Sequence, residues 1–158
     1  MQAVSNAQVI RLLEQIGNHY RANIASPFIR PALMQLPLDP QDLVQVEMFT
    51  QKQGQYLGFD LEELYRQIAA SARFVSMVRH DLLPVLRNRL GGGATEQQKV
   101  FRDMAVNNFG SNLKVFADLI NELYVVLVDL DKQESKGRRL PLYMQMPELV
   151  DIGRTLVG

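Results

Sequence analysis

Two clusters of polar side chains have types and spacing suited to holding a ligand, and neither has the layout of a catalyst. The first is basic: Arg87, Arg89, Lys99 and Arg102 flank the triplet Gly91-Gly92-Gly93. Thr95-Glu96-Gln97-Gln98 follows as a T-x-x-Q capping box that opens a helix. Free N–H groups at a helix start attract anions, so Arg87, Arg89, Thr95, Lys99 and Arg102 form a candidate anion site. The plainer alternative is that Arg87 and Arg89 complement the C-terminal dipole of their own helix. The second cluster is polar and mid-helix: Arg73, Ser76 and His80 on one arm, Asn108 and Asn112 on the other. It is a candidate pocket beside Pro84, which removes a helical hydrogen bond and should bend the arm. Its alternative is an exposed polar face with one tolerated glycine, Gly110.

Catalytic signatures are missing. The glycine triplet lacks the G-x-x-x-x-G-K-[ST] pattern of a phosphate loop, and no G-x-S-x-G elbow supplies a nucleophile. Neither His19 nor His80 has a Glu three residues before it, as a di-iron bundle requires. Two His and no Cys leave no obvious zinc set, so no metal or cofactor is expected. His80 and Asp81 are neighbours on a helix and point about 100° apart, which rules them out as an acid–base pair.

The elements that position these residues follow from apolar periodicity. Leu61, Leu64, Tyr65, Ile68, Ala72, Val75, Val78, Leu82, Leu86 and Leu90 recur in helical steps, and Asp60 caps the start. Phe101, Ala105, Phe109, Leu113, Phe116, Ile120, Leu123, Leu127 and Leu130 mark a second arm. The spacing predicts helices over 60–90 and 95–132, roughly 45 and 55 Å long, folded into an antiparallel hairpin. That pairing sets Asn108, Gly110 and Asn112 against Arg73, as a polar layer or a close helix approach. It also gathers Asp118, Glu122, Asp129 and Asp131 at one end, where they oppose the helix dipole. Lys132, Lys136, Arg138 and Arg139 folding back would offset them, or a basic partner would.

A first helix is expected over 5–25, burying Val9, Leu12, Leu13, Ile16, Tyr20 and Ile24 and ending before Pro27. A packed, proline-rich connector follows over 26–38, then a helix over 40–55 opened by Asp39-Pro40. Residues 142–146 read as extended, and Pro147 opens a last helix over 147–157. The fold class is thus all-α: a single antiparallel bundle of four main helices plus a short C-terminal one.

Composition narrows the function. Seventeen acidic residues balance seventeen basic ones, so no overall field favours nucleic acid or a membrane surface. No apolar run approaches the ~20 residues of a membrane span, and the N-terminus lacks the pattern of a signal peptide. Cytoplasmic placement is the expectation. Surplus Met and Leu, including Met34, Leu36, Leu38, Met48, Leu142, Met144 and Met146, suit an adaptable interface as well as an irregular core. The leading expectation is a non-enzymatic protein-interaction module, an adaptor, regulator or assembly factor that pairs with itself as a homodimer or with another protein. Small-molecule binding near the Pro84 bend is the alternative, and anion or nucleic-acid binding at the glycine turn is the third.

Overall fold

The hairpin periodicity becomes two helical arms. A computed structural model describes residues 3–4, 7–25, 33, 36–37, 39, 41–42, 45–46, 59–88, 95–137 and 139–157. Helix α1 spans Ala7–His19 and runs into a π-helical turn, Tyr20–Ile24. Helix α2 is Leu61–Met77, followed by a π-helical turn Val78–Leu82 and then α3, Leu83–Asn88. Helix α4 is Glu96–Glu134 and α5 is Ile152–Val157. The chain is mostly helical, and four helices pack together: α4 lies against α1, α2 and α5, and α2 against α5. The expected connector and the 40–55 helix lie largely outside the described residues. Within them Leu33 and Val46 are buried.

Each start and bend has a local cause. Asp60 Oδ1 accepts from the Glu62 N–H at 3.1 Å, which satisfies one free donor of the first turn of α2. Proline 84 cannot donate, and its ring crowds the carbonyl four residues earlier. The helix widens just before it, with the Leu83 N–H reaching Val78 O across a π turn. What the structure records at the expected Pro84 bend is this π turn. Through 107–112 α4 runs unbroken. A Cβ on Gly110 would stand 3.8 Å from Leu83 Cδ1, an ordinary contact, so this glycine is not needed for close helix approach. A two-residue ladder that periodicity did not announce pairs Ala3 with Asp60 and Val4 with Phe59.

The core explains why the arms lie together. Tyr65 meets Asp131, Phe74 meets Phe116 and Leu83 meets Gly110, so position rises along α2 and α3 as it falls along α4. Helix α2 is buried on more than its expected stripe: Gln67, Ala69, Ala70, Ser71 and Phe74 are buried too. The Ser71 hydroxyl bonds back to Gln67 O at 2.8 Å, so its polarity is absorbed within the helix.

The C-terminal segment departs from expectation. Residues Leu142–Gln145 form a 3-10 turn rather than the extended segment expected over 142–146. The Asp131 carboxylate sets this geometry: Oδ1 accepts from Leu142 N–H at 3.0 Å, and Oδ2 from Tyr143 N–H at 2.8 Å. The Tyr65 hydroxyl also donates to Oδ2, at 2.9 Å. Asp131 is fully buried, and among the described residues neutral donors rather than basic side chains offset its charge; Arg138 lies outside them. Lys132 lies over the Tyr143 ring instead, 5.8 Å from its centre. The last helix does not begin at Pro147. Pro147–Leu149 is a 3-10 turn, and α5 starts only after Asp151 adopts a φ of 60°.

Burial, and then the hydrogen bond to Asp131, push the Tyr65 phenol well above its ordinary value. Burial also raises Tyr124. Both shifts favour the protonated form in the fold, so their contribution is complete below the unfolded tyrosine value of about 10. Above it the unfolded chain sheds protons that the fold retains, and stability should fall. Denaturant unfolding between about pH 9 and 11 checks this, and Tyr65→Phe should flatten the alkaline slope.

Candidate functional site

The C-terminal segment lies along α2 because both of its ends are tied. Asp131 holds its first turn, as above. At the far end Arg79, from the π turn, donates to Thr155 O at 2.9 Å and to Leu156 O at 3.4 Å. These are carbonyls of the last turn of α5, where a cation also suits the helix dipole. From α2, Arg73 reaches across to Asp42 with two parallel bonds, Nε to Oδ2 at 2.6 Å and a terminal nitrogen to Oδ1 at 2.7 Å. A groove of about 510 Å³ lies between these two ties.

Small residues on α2 make its floor: Ala69, Ala72 and Ser76 share one face at steps of three and four. Val150 and Ile152 give an apolar wall, and Val150 is 73% exposed. The rim is acidic, with Asp39, Asp42, Asp81 and Glu148. Asp42 is spent on Arg73, and its hydrogen bond raises the Arg73 pKa against the opposing effect of burial, with Glu148 and Asp39 adding to the rise. Asp39 accepts the Gln41 N–H at 2.9 Å, while Asp81 and Glu148 have no ion pair among the described residues. The groove therefore presents more negative charge than Arg73 can balance. It suits a cationic group carried on an apolar body.

Three of the five pocket candidates meet here: Arg73, Ser76 and His80 all line the groove. Asn108 and Asn112 do not. Asn108 is exposed, and at Asn112 the backbone carbonyl accepts the His19 Nε2–H at 2.7 Å. Asn23 Nδ2 stands 3.1 Å from His19 Nδ1, so the ring donates through Nε2 and accepts through Nδ1. His19 is thus a staple between α1 and α4. The polar layer expected between Arg73 and the two asparagines is not formed, because Arg73 is turned outward to Asp42.

The anion candidates cannot be assembled from what is described. Gly91-Gly92-Gly93, Arg89 and the side chains of Arg87 and Arg102 lie outside the described residues. Thr95 is exposed, and Lys99 Nζ lies 3.8 Å from Glu96 Oε1.

Periodicity gave no sign of the rim carboxylates, which sit at the start of the expected 40–55 helix, on the π turn and on the C-terminal segment. The Ala69-Ala70-Ser71-Ala72 run was the available signal, since so many small residues on one helix mark close neighbours or a floor. Among the described residues no group of three or more His, Asp or Glu is placed to hold a metal ion, and no helix is long and apolar enough to cross a membrane. No family model, curated protein or solved structure matches this chain.

Proposed function

We propose that this chain is a non-enzymatic protein-interaction module, an adaptor, regulator or assembly factor of the cytoplasm that also pairs with itself. In this reading it is a single antiparallel bundle of four main helices with a short C-terminal helix. A partner docks in the groove between α2 and the C-terminal segment, through a stretch bearing Lys or Arg beside an apolar side chain. The observation that carries this is the mismatch at the groove: an Ala69–Ala72–Ser76 floor under a rim whose Asp81 and Glu148 lack ion pairs among the described residues. Electrostatic complementarity of this kind governs partner choice and encounter rate.

Fluorescence anisotropy with a labelled amphipathic Lys/Leu peptide tests the reading. Binding is expected at low salt, and the exposed double reversal Asp81→Lys with Glu148→Lys should weaken it about tenfold or more. No binding, or binding equal in both proteins, would remove the reading. The groove volume of 510 Å³ also falls within the ~300–1,000 Å³ typical of small-molecule sites. That favours a second reading in which the occupant is a small amphiphilic amine. Thermal stabilisation by such an amine, lost in the same double variant, would select it over a peptide.

A further inference from the structure

A second opening, of about 790 Å³, runs between the start of α1 and the outer face of α4 and is lined by Gln8, Asp118, Glu122, Val125, Asp129 and Gln133, among others. Asp118, Glu122, Val125 and Asp129 follow one another at steps of four, three and four, so they form one ridge along the helix. Lys132 and Lys136 continue that ridge and are exposed. The helical path persists to them, since the Ser135 N–H still bonds Asp131 O at 3.1 Å. Arg139, also exposed, lies just beyond. Asp118 pairs with Lys114 at 3.2 Å, an exposed contact that contributes little, and Glu122 and Asp129 have no ion pair among the described residues. Val125, in the middle, is 52% exposed.

We propose that this ridge is a two-fold interface that takes a second copy of the chain, an inference that gives a location to the self-pairing proposed above. The argument is one of symmetry. In an isologous contact the same patch serves both partners, so it must be complementary to itself. A ridge that is acidic at one end, apolar in the middle and basic at the other meets that condition once it is turned end over end. Lys132 of each copy then faces Asp118 of the other, and the two Val125 side chains meet near the axis. A uniformly acidic ridge would repel its own copy. The stretch from Asp118 to Lys136 is about 27 Å long at 1.5 Å per residue, short for a permanent dimer. The pairing is therefore weak, reversible and sensitive to salt.

Sedimentation velocity on the full chain, at low salt and tens of micromolar, tests this. The wild type should show a monomer–dimer equilibrium that weakens about tenfold or more in high salt. Asp118→Lys alone and Lys132→Glu alone should each weaken it to a similar extent, since each homodimer then carries two like-charge contacts. Mixing the two variants should restore pairing, because the mixed dimer has one native contact and one swapped contact. Both sites are exposed, and circular dichroism confirms that the variants remain folded. A wild type that stays monomeric at low salt, or a mixture that pairs no better than either variant, overturns the proposal. So does binding of polylysine to this ridge by a strictly monomeric protein, which would make a basic partner the occupant. None of these results bears on the α2 groove, whose peptide assay uses other residues.

Discussion

Replacing Asp131 with alanine should cost about 3 kcal/mol or more of unfolding free energy, although this residue touches neither the groove nor the outer ridge. Its carboxylate receives Tyr65 OH, Leu142 N–H and Tyr143 N–H, and among the described residues no basic side chain forms an ion pair with it. Truncation orphans all three donors at once, and each buried donor left without a partner costs about 1–3 kcal/mol. Tyr65 has a fallback in Leu127 O at 3.3 Å, and the half-buried 3-10 turn can lift toward water, so the sum is not reached. Tyr65→Phe removes one donor and leaves the carboxylate with two, so it should cost only about 1 kcal/mol. Denaturant unfolding of both variants gives the comparison. The C-terminal segment should come loose in Asp131→Ala, with faster hydrogen exchange in α5 than in α1. A loss below about 1 kcal/mol would show that the carboxylate does not hold the segment.

Asp131 also shows where reading a sequence runs out. The helical arms were legible because their apolar residues recur at 3.6-residue spacing over many turns, a signal that survived even the Asn107–Asn112 interruption. The Asp131 charge was legible as a problem, since a carboxylate near a helix C-terminus needs an offset. Its solution was not. Lys132, Lys136, Arg138 and Arg139 or a basic partner were expected, whereas among the described residues the offset comes from backbone N–H groups at 142 and 143 and from a tyrosine on another helix. Backbone donors carry no sequence signature. The same holds for the groove. Arg73, Ser76 and His80 lie on one helix at steps of three and four, so they could be grouped in advance. The partners that turn them into a site, Asp42 and Glu148, come from segments far away in the chain, and only the tertiary fold brings them near. Phe74 was missed for a related reason: a helix buried on several sides has no single stripe.

Phe116→Ala should cost about 3–5 kcal/mol, through a mechanism unlike that at Asp131. Phe116 is fully buried, and its ring centre lies 5.7 Å from that of Tyr20 and 6.3 Å from that of Phe74. Tyr20 and Phe74 are themselves 6.2 Å apart, so the three rings close a triangle between the π turn after α1, the last turn of α2 and the middle of α4. Truncating one corner removes contacts from the other two and leaves a cavity that rigid helices on three sides cannot close. Phe116→Leu, which keeps most of the volume, should cost about half as much or less. Val115→Ala, on the exposed neighbour, should stay within about 0.5 kcal/mol of wild type. Asp131 and Phe116 stand about 22 Å apart along α4 at 1.5 Å per residue, so their losses should add in the double variant. Marked non-additivity would mean that the aromatic triangle and the Asp131 tie form one cooperative network, with the groove between α2 and the C-terminal segment depending on both.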